Sequence, residues 1–248
     1  MRFLGIIPAR YASTRLPGKA LADIAGKTMI RRVYERASAV LEHLWVATDD
    51  ARIQQEVDGF GGRVVMTSVS CASGTERCSQ ALERIEAAAG AAFDVVINVQ
   101  GDEPVLDPEM VEKLMGCFRE PDTEIATLVN PLLSPGDLFL PGKVKVVFTR
   151  DRRALYFSRA AIPYVMEAAR EQWLSRHRFY RHVGIYAYRA AVLKELARLP
   201  ASPLETSERL EQNRWLENGY RIRVEITDKE SVGVDTPEDL DRVRQLLA

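Results

Sequence analysis

The chain has no apolar run near the ~20 residues that cross a bilayer. Its amino end lacks the longer apolar segment and small-residue cleavage site of a signal peptide. Cysteine is scarce: Cys71, Cys78 and Cys117 are the only three, with no C-x-x-C and no paired zinc spacing. That excludes a disulfide framework and a zinc ribbon, suits a reducing cytoplasm, and leaves the thiols as small buried hydrophobes. The net charge of −1 excludes a global field for nucleic acid or an anionic membrane. Neither the phosphate loop G-x-x-x-x-G-K-[ST] nor the dinucleotide fingerprint G-x-G-x-x-G occurs. Internal repeats, low-complexity tracts and flexible linkers are also missing.

What is present is a chain of 248 residues, 46% hydrophobic and 28% charged, enough for one large α/β domain or one with a sizeable insertion. Strands and helices alternate. Residues 2–8, 44–48, 64–66 and 95–99 read as strands, and 28–41, 53–60 and 74–89 as helices between them, with another helix beginning at Asp107-Pro108. Alternation of this kind predicts a mixed, mostly parallel sheet with helices on both faces, and ligands beyond the carboxyl ends of its strands. From about 125 the pattern turns β-rich, with strands over 125–130, 144–149, 154–158 and 183–189. The basic, aromatic stretch 163–181 reads as a surface loop or short helix. A helix over 203–218, a strand over 221–226 and a helix over 237–247 close the chain. The expected division is a core of about 1–130 and 221–248, with an inserted part of about 131–220.

The first strand, Phe3 to Ile7, empties into Pro8-Ala9-Arg10-Tyr11-Ala12-Ser13-Thr14-Arg15-Leu16-Pro17-Gly18-Lys19. Arg10, Arg15 and Lys19 can converge on one polyphosphate, with Ser13, Thr14 and free backbone N–H groups as further donors. The alternative is a solvated basic turn. Asp102 follows the strand Val95-Val96-Ile97-Asn98-Val99 and the turn Gln100-Gly101. A carboxylate there, facing a polyphosphate loop, is placed for a hard cation such as magnesium; as ordinary chemistry it is a turn aspartate.

A second carboxylate lies in Gly233-Val234-Asp235-Thr236-Pro237-Glu238-Asp239. Thr236 reads as a helix cap, Pro237 as the first helical residue and Asp239 as the reciprocal partner. Asp235 is left without a structural task and becomes the second candidate metal ligand. Ser73-Gly74-Thr75-Glu76-Arg77 is both a capping box and a helix amino terminus that can meet an anion, with Arg77 one turn in. Glu205, in Ser202-Pro203-Leu204-Glu205, reads as a cap and not a ligand. His182 and Tyr186 read first as a satisfied strand histidine and as core packing with an anchored hydroxyl.

Taken together, these segments resemble the 3-deoxy-manno-octulosonate cytidylyltransferases. The resemblance runs from Ile6 to Arg244 and rests on Ile7 to Lys19, Ser73 to Arg77, Asn98 to Pro104, Ala154 to Arg159 and Gly233 to Leu240. Sialic acid cytidylyltransferases share only the logic of the first loop. The resemblance implies a nucleotide-diphospho-sugar transferase (Rossmann-like) fold, a homodimer, CTP, magnesium and a role in lipopolysaccharide synthesis. It implies that Arg10, Arg15 and Lys19 hold the triphosphate, with Ala9, Ser73 and Gln100 near the cytidine and Asp102 and Asp235 on magnesium. It further implies that the sugar acid meets Arg159, His182, Tyr186, Glu211 and Gln212, with Arg159 and His182 on its carboxylate.

Three departures stand out: Cys71-Ala72 where the family has His-Gln, Leu140-Pro141-Gly142 before Lys143-Val144-Lys145, and Asn213 where leucine is usual. The first touches the nucleotide edge and the third adjoins the sugar side. An 8-amino analogue of the sugar acid, a glycosyltransferase of the same fold and a CTP-binding regulator without turnover are the alternative readings. Pyrophosphate release separates the transferase from the last two.

Overall fold

The structure is a computed structural model and describes residues 1–12, 16–230 and 232–247. In chain order its main elements begin with β1 (Phe3–Ala9), α1 (Met29–Ser38), β2 (Leu44–Thr48), α2 (Ala51–Gly59), β3 (Val64–Met66), α3 (Gly74–Ala89), β4 (Val95–Asn98) and α4 (Pro108–Cys117). They continue with β5 (Ile125–Pro131), β6 (Lys145–Phe148), β7 (Ala154–Ser158), β8 (Tyr180–Arg189), α5 (Ala190–Leu196), α6 (Pro203–Glu208), α7 (Glu211–Glu217), β9 (Ile222–Ile226) and α8 (Pro237–Leu247). The chain divides into two compact units. One comprises Met1–Met115, Ala187–Arg198 and Glu230–Ala248; the other comprises Gly116–Tyr186 and Leu199–Lys229. The expected cut near 130 differs from this because β5 and β9 pair in parallel, from Ile222 opposite Ile125 to Ile226 opposite Val129, so both belong to the second unit.

The first unit is built on a parallel sheet in the order β4-β1-β2-β3. Leu4, Ile6, Ile7, Val46, Ala47, Val95, Val96 and Ile97 have no exposed surface, as continuous apolar strands covered on both faces require. Helix α1 turns Met29, Ile30, Val33 and Ala37 inward, and α3 turns Cys78, Ala81, Leu82 and Ile85 inward. Both stripes follow the helical repeat. The chain runs outward from β1 through β2 to β3, then returns through α3 to β4 on the other side of β1. That reversal is the switch point beside which open α/β sheets hold ligands. There the two strand ends approach closely, and a Cβ on Gly101 would stand 2.9 Å from the Pro8 carbonyl oxygen.

In the second unit β8 is antiparallel to β6, with Arg181 opposite Lys145, and β6 is antiparallel to β7, with Lys145 opposite Ser158. The predicted helix over 203–218 is two helices, because Arg209 takes a left-handed φ of 50° and Leu210 is extended. Neither Gly nor Pro marks that break. The stretch 163–181 holds short turns at Arg170–Gln172 and Trp173–Arg176. It is less superficial than predicted, since Trp173 and Phe179 bury themselves with Leu132 and Leu138. Strand β8 starts three residues earlier than predicted and so carries Arg181 and His182.

Replacing Gly101 with alanine should lower stability by about 1–3 kcal/mol, the usual cost of forcing a methyl into filled space. A urea midpoint equal to that of the unsubstituted protein would contradict the close approach.

Candidate active site

The first unit opens a cleft of about 370 Å³ at the carboxyl ends of β1 and β4, with Ala9, Arg10, Lys19, Ser73, Gln100, Asp102 and Asp235 among its walls. Each wall has a local cause. Gly18, at φ 71°, reverses the chain after Leu16-Pro17, and its N–H bonds back to the Tyr11 carbonyl at 3.1 Å. The same reversal brings Lys19 inward, to a side-chain exposure of 17%. Below the loop, the Arg52 guanidinium lies 3.3 Å from the centre of the Tyr11 ring and bonds Asp50.

Lys19 Nζ lies 2.6 Å from Asp102 Oδ2 and 3.2 Å from Asp235 Oδ1. The two aspartates are tied by the backbone as well, since Val234 N–H donates to the Asp102 carbonyl at 2.9 Å. The cap after Asp235 forms as expected: Thr236 N–H donates to Asp239 Oδ2 at 3.0 Å, and Asp239 N–H donates to Thr236 Oγ1 at 3.3 Å. Asp239 Oδ2 also accepts from Asp235 N–H at 3.0 Å, so the cap fixes the backbone of Asp235. Behind it, Ile24, Met29, Val234, Leu240 and Val243 form a small core that anchors α8.

The amino end of α3 lies on the same cleft. Ser73 Oγ accepts from Glu76 N–H at 3.2 Å, while Glu76 Oε2 accepts from Ala72 N–H at 2.8 Å, one residue before the cap. Arg77 lines the cleft yet is buried, and its guanidinium is committed to Thr67 Oγ1 at 2.6 Å and Asp49 Oδ2 at 2.8 Å. It anchors α3 to the ends of β2 and β3, a task its sequence position did not reveal. Arg10 is exposed on the cleft wall and Gln100 is half-buried there. Cys71 also reaches the cleft, unlike buried Cys78 and Cys117. Ser13, Thr14 and Arg15 lie outside the described residues.

The five sugar-side candidates all fall in the second unit. Arg159 donates from Nε to the Glu208 carbonyl at 2.6 Å, from Nη1 to that of Pro141 at 3.1 Å and from Nη2 to that of Arg209 at 3.3 Å. Glu208, absent from the sequence reading, and Lys145, named there without a role, hold its backbone. Glu208 accepts from Arg159 N–H at 3.0 Å and from Ser158 Oγ at 2.6 Å. Lys145, with no exposed surface, donates to the carbonyls of Arg159 at 2.7 Å and Leu140 at 2.9 Å. Burial lowers the Lys145 ammonium below the usual lysine range.

His182 sits edge-on to Phe157, its ring centre 5.1 Å away, and 5.2 Å from the ring centre of Tyr186. Burial pushes the imidazole from 6.5 down to about 3, so it is neutral at pH 7. Any hydrogen bond from His182 to an acid is therefore made by a neutral ring. Burial, then the nearby Glu211 carboxylate, raises the Tyr186 hydroxyl well above its ordinary value. Glu211 pairs with Arg214 at 2.6 Å. Gln212 is buried, and its Nε2 has no hydrogen-bond partner among the described residues. Asn213 spends its amide on Phe157, donating to the carbonyl at 3.0 Å and accepting from the N–H at 3.4 Å. It clamps α7 to β7. Glu205 is a cap as predicted, with Glu205 N–H donating to Ser202 Oγ at 3.4 Å.

An α/β nucleotidyltransferase is the class of enzyme that this sheet order and this lysine–carboxylate cleft describe, and the comparisons agree. A family model described as cytidylyltransferase matches residues 4–226. A 3-deoxy-manno-octulosonate cytidylyltransferase from Parabacteroides distasonis is 53% identical, with 100% of this chain and 99% of that protein covered. One of the same description from Bacteroides thetaiotaomicron is 51% identical, covering 100% and 98%. A solved structure of CMP:2-keto-3-deoxy-manno-octonic acid synthetase complexed with CTP superposes with a TM-score of 0.89 at 43% identity, covering 100% of this chain and 98% of that one. The chain belongs to the 3-deoxy-manno-octulosonate cytidylyltransferase family.

Two outcomes check the side chains described. Arg77→Met leaves the Asp49 carboxylate without its guanidinium and should destabilise by roughly 3 kcal/mol, the scale of breaking a buried pair; equal melting curves would refute that anchor. Native His182 is unprotonated down to about 3, while an unfolded histidine takes up a proton near 6.5. The unfolded state therefore binds more protons, and stability from this group is full above 6.5 and falls with decreasing pH by up to about 1.4 kcal/mol per unit. His182→Gln should flatten the slope between pH 6.5 and 4.5 in denaturant titrations; an unchanged slope would place the ring in water.

Proposed function

We propose that this chain transfers CMP from CTP to 3-deoxy-D-manno-octulosonate, giving the CMP-sugar and pyrophosphate for lipopolysaccharide biosynthesis. The observation that carries the reading is the convergence of Lys19, Asp102 and Asp235 at the switch point of the first unit's sheet. The anomeric 2-hydroxyl oxygen attacks the α-phosphorus. A new P–O bond forms as the bond to the β-phosphate bridging oxygen breaks, the electron pair leaves with pyrophosphate, and the hydroxyl proton passes to solvent.

Transfer of this kind asks for positioning and charge neutralisation more than for covalent help. Lys19 and Arg10 on the cleft wall, with Arg15 by its place in the sequence, hold the triphosphate and stabilise the leaving pyrophosphate. Ala9, Ser73 and Gln100 lie on the same wall and take the cytidine, with Ser13 and Thr14 as further donors to phosphate. Arg77 keeps the α3 amino end in place for the nucleotide.

The donor set at Asp102 and Asp235 fits magnesium. Two carboxylates already converge on one ammonium, and magnesium takes one or two carboxylates together with phosphate oxygens and water. When bound, the ion supplies neutralisation of charge on the phosphate oxygens. In the second unit, Arg159 takes the carboxylate of the sugar acid, while His182, Tyr186, Glu211 and Gln212 take its hydroxyls. We further take the enzyme to be a cytoplasmic homodimer. Support comes from its free cysteines and from the exposed apolar side chains Leu133, Leu155, Tyr164 and Met166 of the second unit. Among the described residues no helix is long and apolar enough to cross a membrane.

The test is pyrophosphate release over a panel of nucleoside triphosphates and sugar acids, the 8-amino analogue included. Release that needs both CTP and 3-deoxy-D-manno-octulosonate is expected; CTP binding without release would leave a regulator, and a preference for the 8-amino sugar would move the substrate. In the same assay Asp102→Asn should lower turnover at least ~10²-fold, as loss of one preorganised electrostatic contact does. Near-normal turnover would remove Asp102 from the machinery.

A further inference from the structure

Thr127 is fully buried on β5, and its hydroxyl meets two carbonyl oxygens, the His182 ring and the Tyr186 hydroxyl. Oγ1 lies 2.8 Å from the Ile185 carbonyl oxygen, 3.1 Å from that of Val183 and 3.0 Å from His182 Nε2. A hydroxyl has one proton to give and two lone pairs to receive. Carbonyl oxygens only accept, so an O···O separation of 2.8 Å is attractive only with the hydroxyl proton directed between Thr127 and the carbonyls. What remains for the imidazole and the Tyr186 hydroxyl is the pair of lone pairs, and His182 Nε2 must bring the hydrogen. In a neutral ring the other nitrogen, Nδ1, is then a bare acceptor.

We infer that Thr127 is a positioning residue for the sugar acid: it fixes His182 as the Nε2–H tautomer, so that Nδ1 accepts a hydrogen bond from a substrate hydroxyl. This rests on the reading of His182 as a sugar-side residue. The chemistry decides the partner. An acceptor lone pair repels a carboxylate and receives a hydroxyl, which leaves the carboxylate to Arg159. Of the five guanidinium N–H groups of Arg159, three meet backbone carbonyls, each through a different nitrogen, and two stay available. Phe157 and Tyr186 hold the ring from two sides, so rotation cannot exchange its nitrogens without repacking.

The test uses the full chain with ¹⁵N-labelled histidine and two variants, Thr127→Val, of nearly the same shape, and Thr127→Ser, which keeps the hydroxyl. Long-range proton–nitrogen spectra, with His182→Gln to assign the signal, should show Nε2–H in the unsubstituted protein and in Thr127→Ser, and a mixed or Nδ1–H ring in Thr127→Val. Pyrophosphate-release kinetics should show the KM for the sugar acid raised about tenfold in Thr127→Val and restored in Thr127→Ser, with the KM for CTP unchanged throughout. An Nδ1–H ring in the unsubstituted protein overturns the inference, and so does an Nε2–H ring that survives in Thr127→Val. Should Thr127→Val fail to fold, the tautomer of the unsubstituted protein still decides. If that protein turns over no sugar acid, the proposed function fails while the spectra still judge Thr127.

Discussion

One ammonium shared by two carboxylates organises the first unit. Lys19 is 83 residues from Asp102 and 216 from Asp235, and only a sheet that brings its strand ends together makes them neighbours. Each partner arrives by its own route: Lys19 on a left-handed glycine after β1, Asp102 on the turn after β4, Asp235 on the backbone held by the cap of α8. Carboxylates so close repel each other unless a cation lies between them. Lys19 supplies that cation here and leaves a locus where metal and phosphate charges can be balanced. The cleft walls then follow from where the sheet reverses direction, not from any single loop.

The second unit follows a different rule. Its polar side chains are buried and held by backbone carbonyls more than by each other. Arg159, Lys145 and Asn213 all end on main-chain oxygens of β7 or of the 140 and 208 segments. These contacts fix the position of each head group, and the Glu208 carboxylate lies against the Arg159 backbone beside them. The neutral His182 and the Gln212 Nε2, unpartnered among the described residues, add uncharged hydrogen-bonding groups suited to hydroxyls. Asn213, the departure from the family's usual leucine, takes part as a clamp on Phe157, whose ring in turn holds His182.

Much of this was legible because backbone physics writes itself locally. The apolar run at Val95–Asn98, the glycine before Lys19, and Thr236 with Asp239 are short-range signals, and each formed as read. The task left over for Asp235 was visible by subtraction, since the cap accounted for its neighbours. What escaped was long-range. No local signal tells that Arg77 turns into the protein toward Asp49 and Thr67, that Lys145 is buried beneath Arg159, or that Thr127 touches His182 from another strand. The break at Arg209 escaped because a left-handed arginine has no glycine to announce it. The 163–181 stretch read as a surface loop or short helix because it is basic and aromatic with little periodicity, yet Trp173 and Phe179 decide its packing.

The most direct measurement is a double-mutant cycle on nucleotide binding: CTP titration calorimetry of the unsubstituted protein, Lys19→Met, Asp235→Asn and the double variant. If the three side chains act as one electrostatic unit, the two losses will fail to add by well over ~0.5 kcal/mol, the limit for independent sites. Losses that sum within that limit, or CTP affinity untouched by either substitution, would contradict the claim that these residues close around one triphosphate.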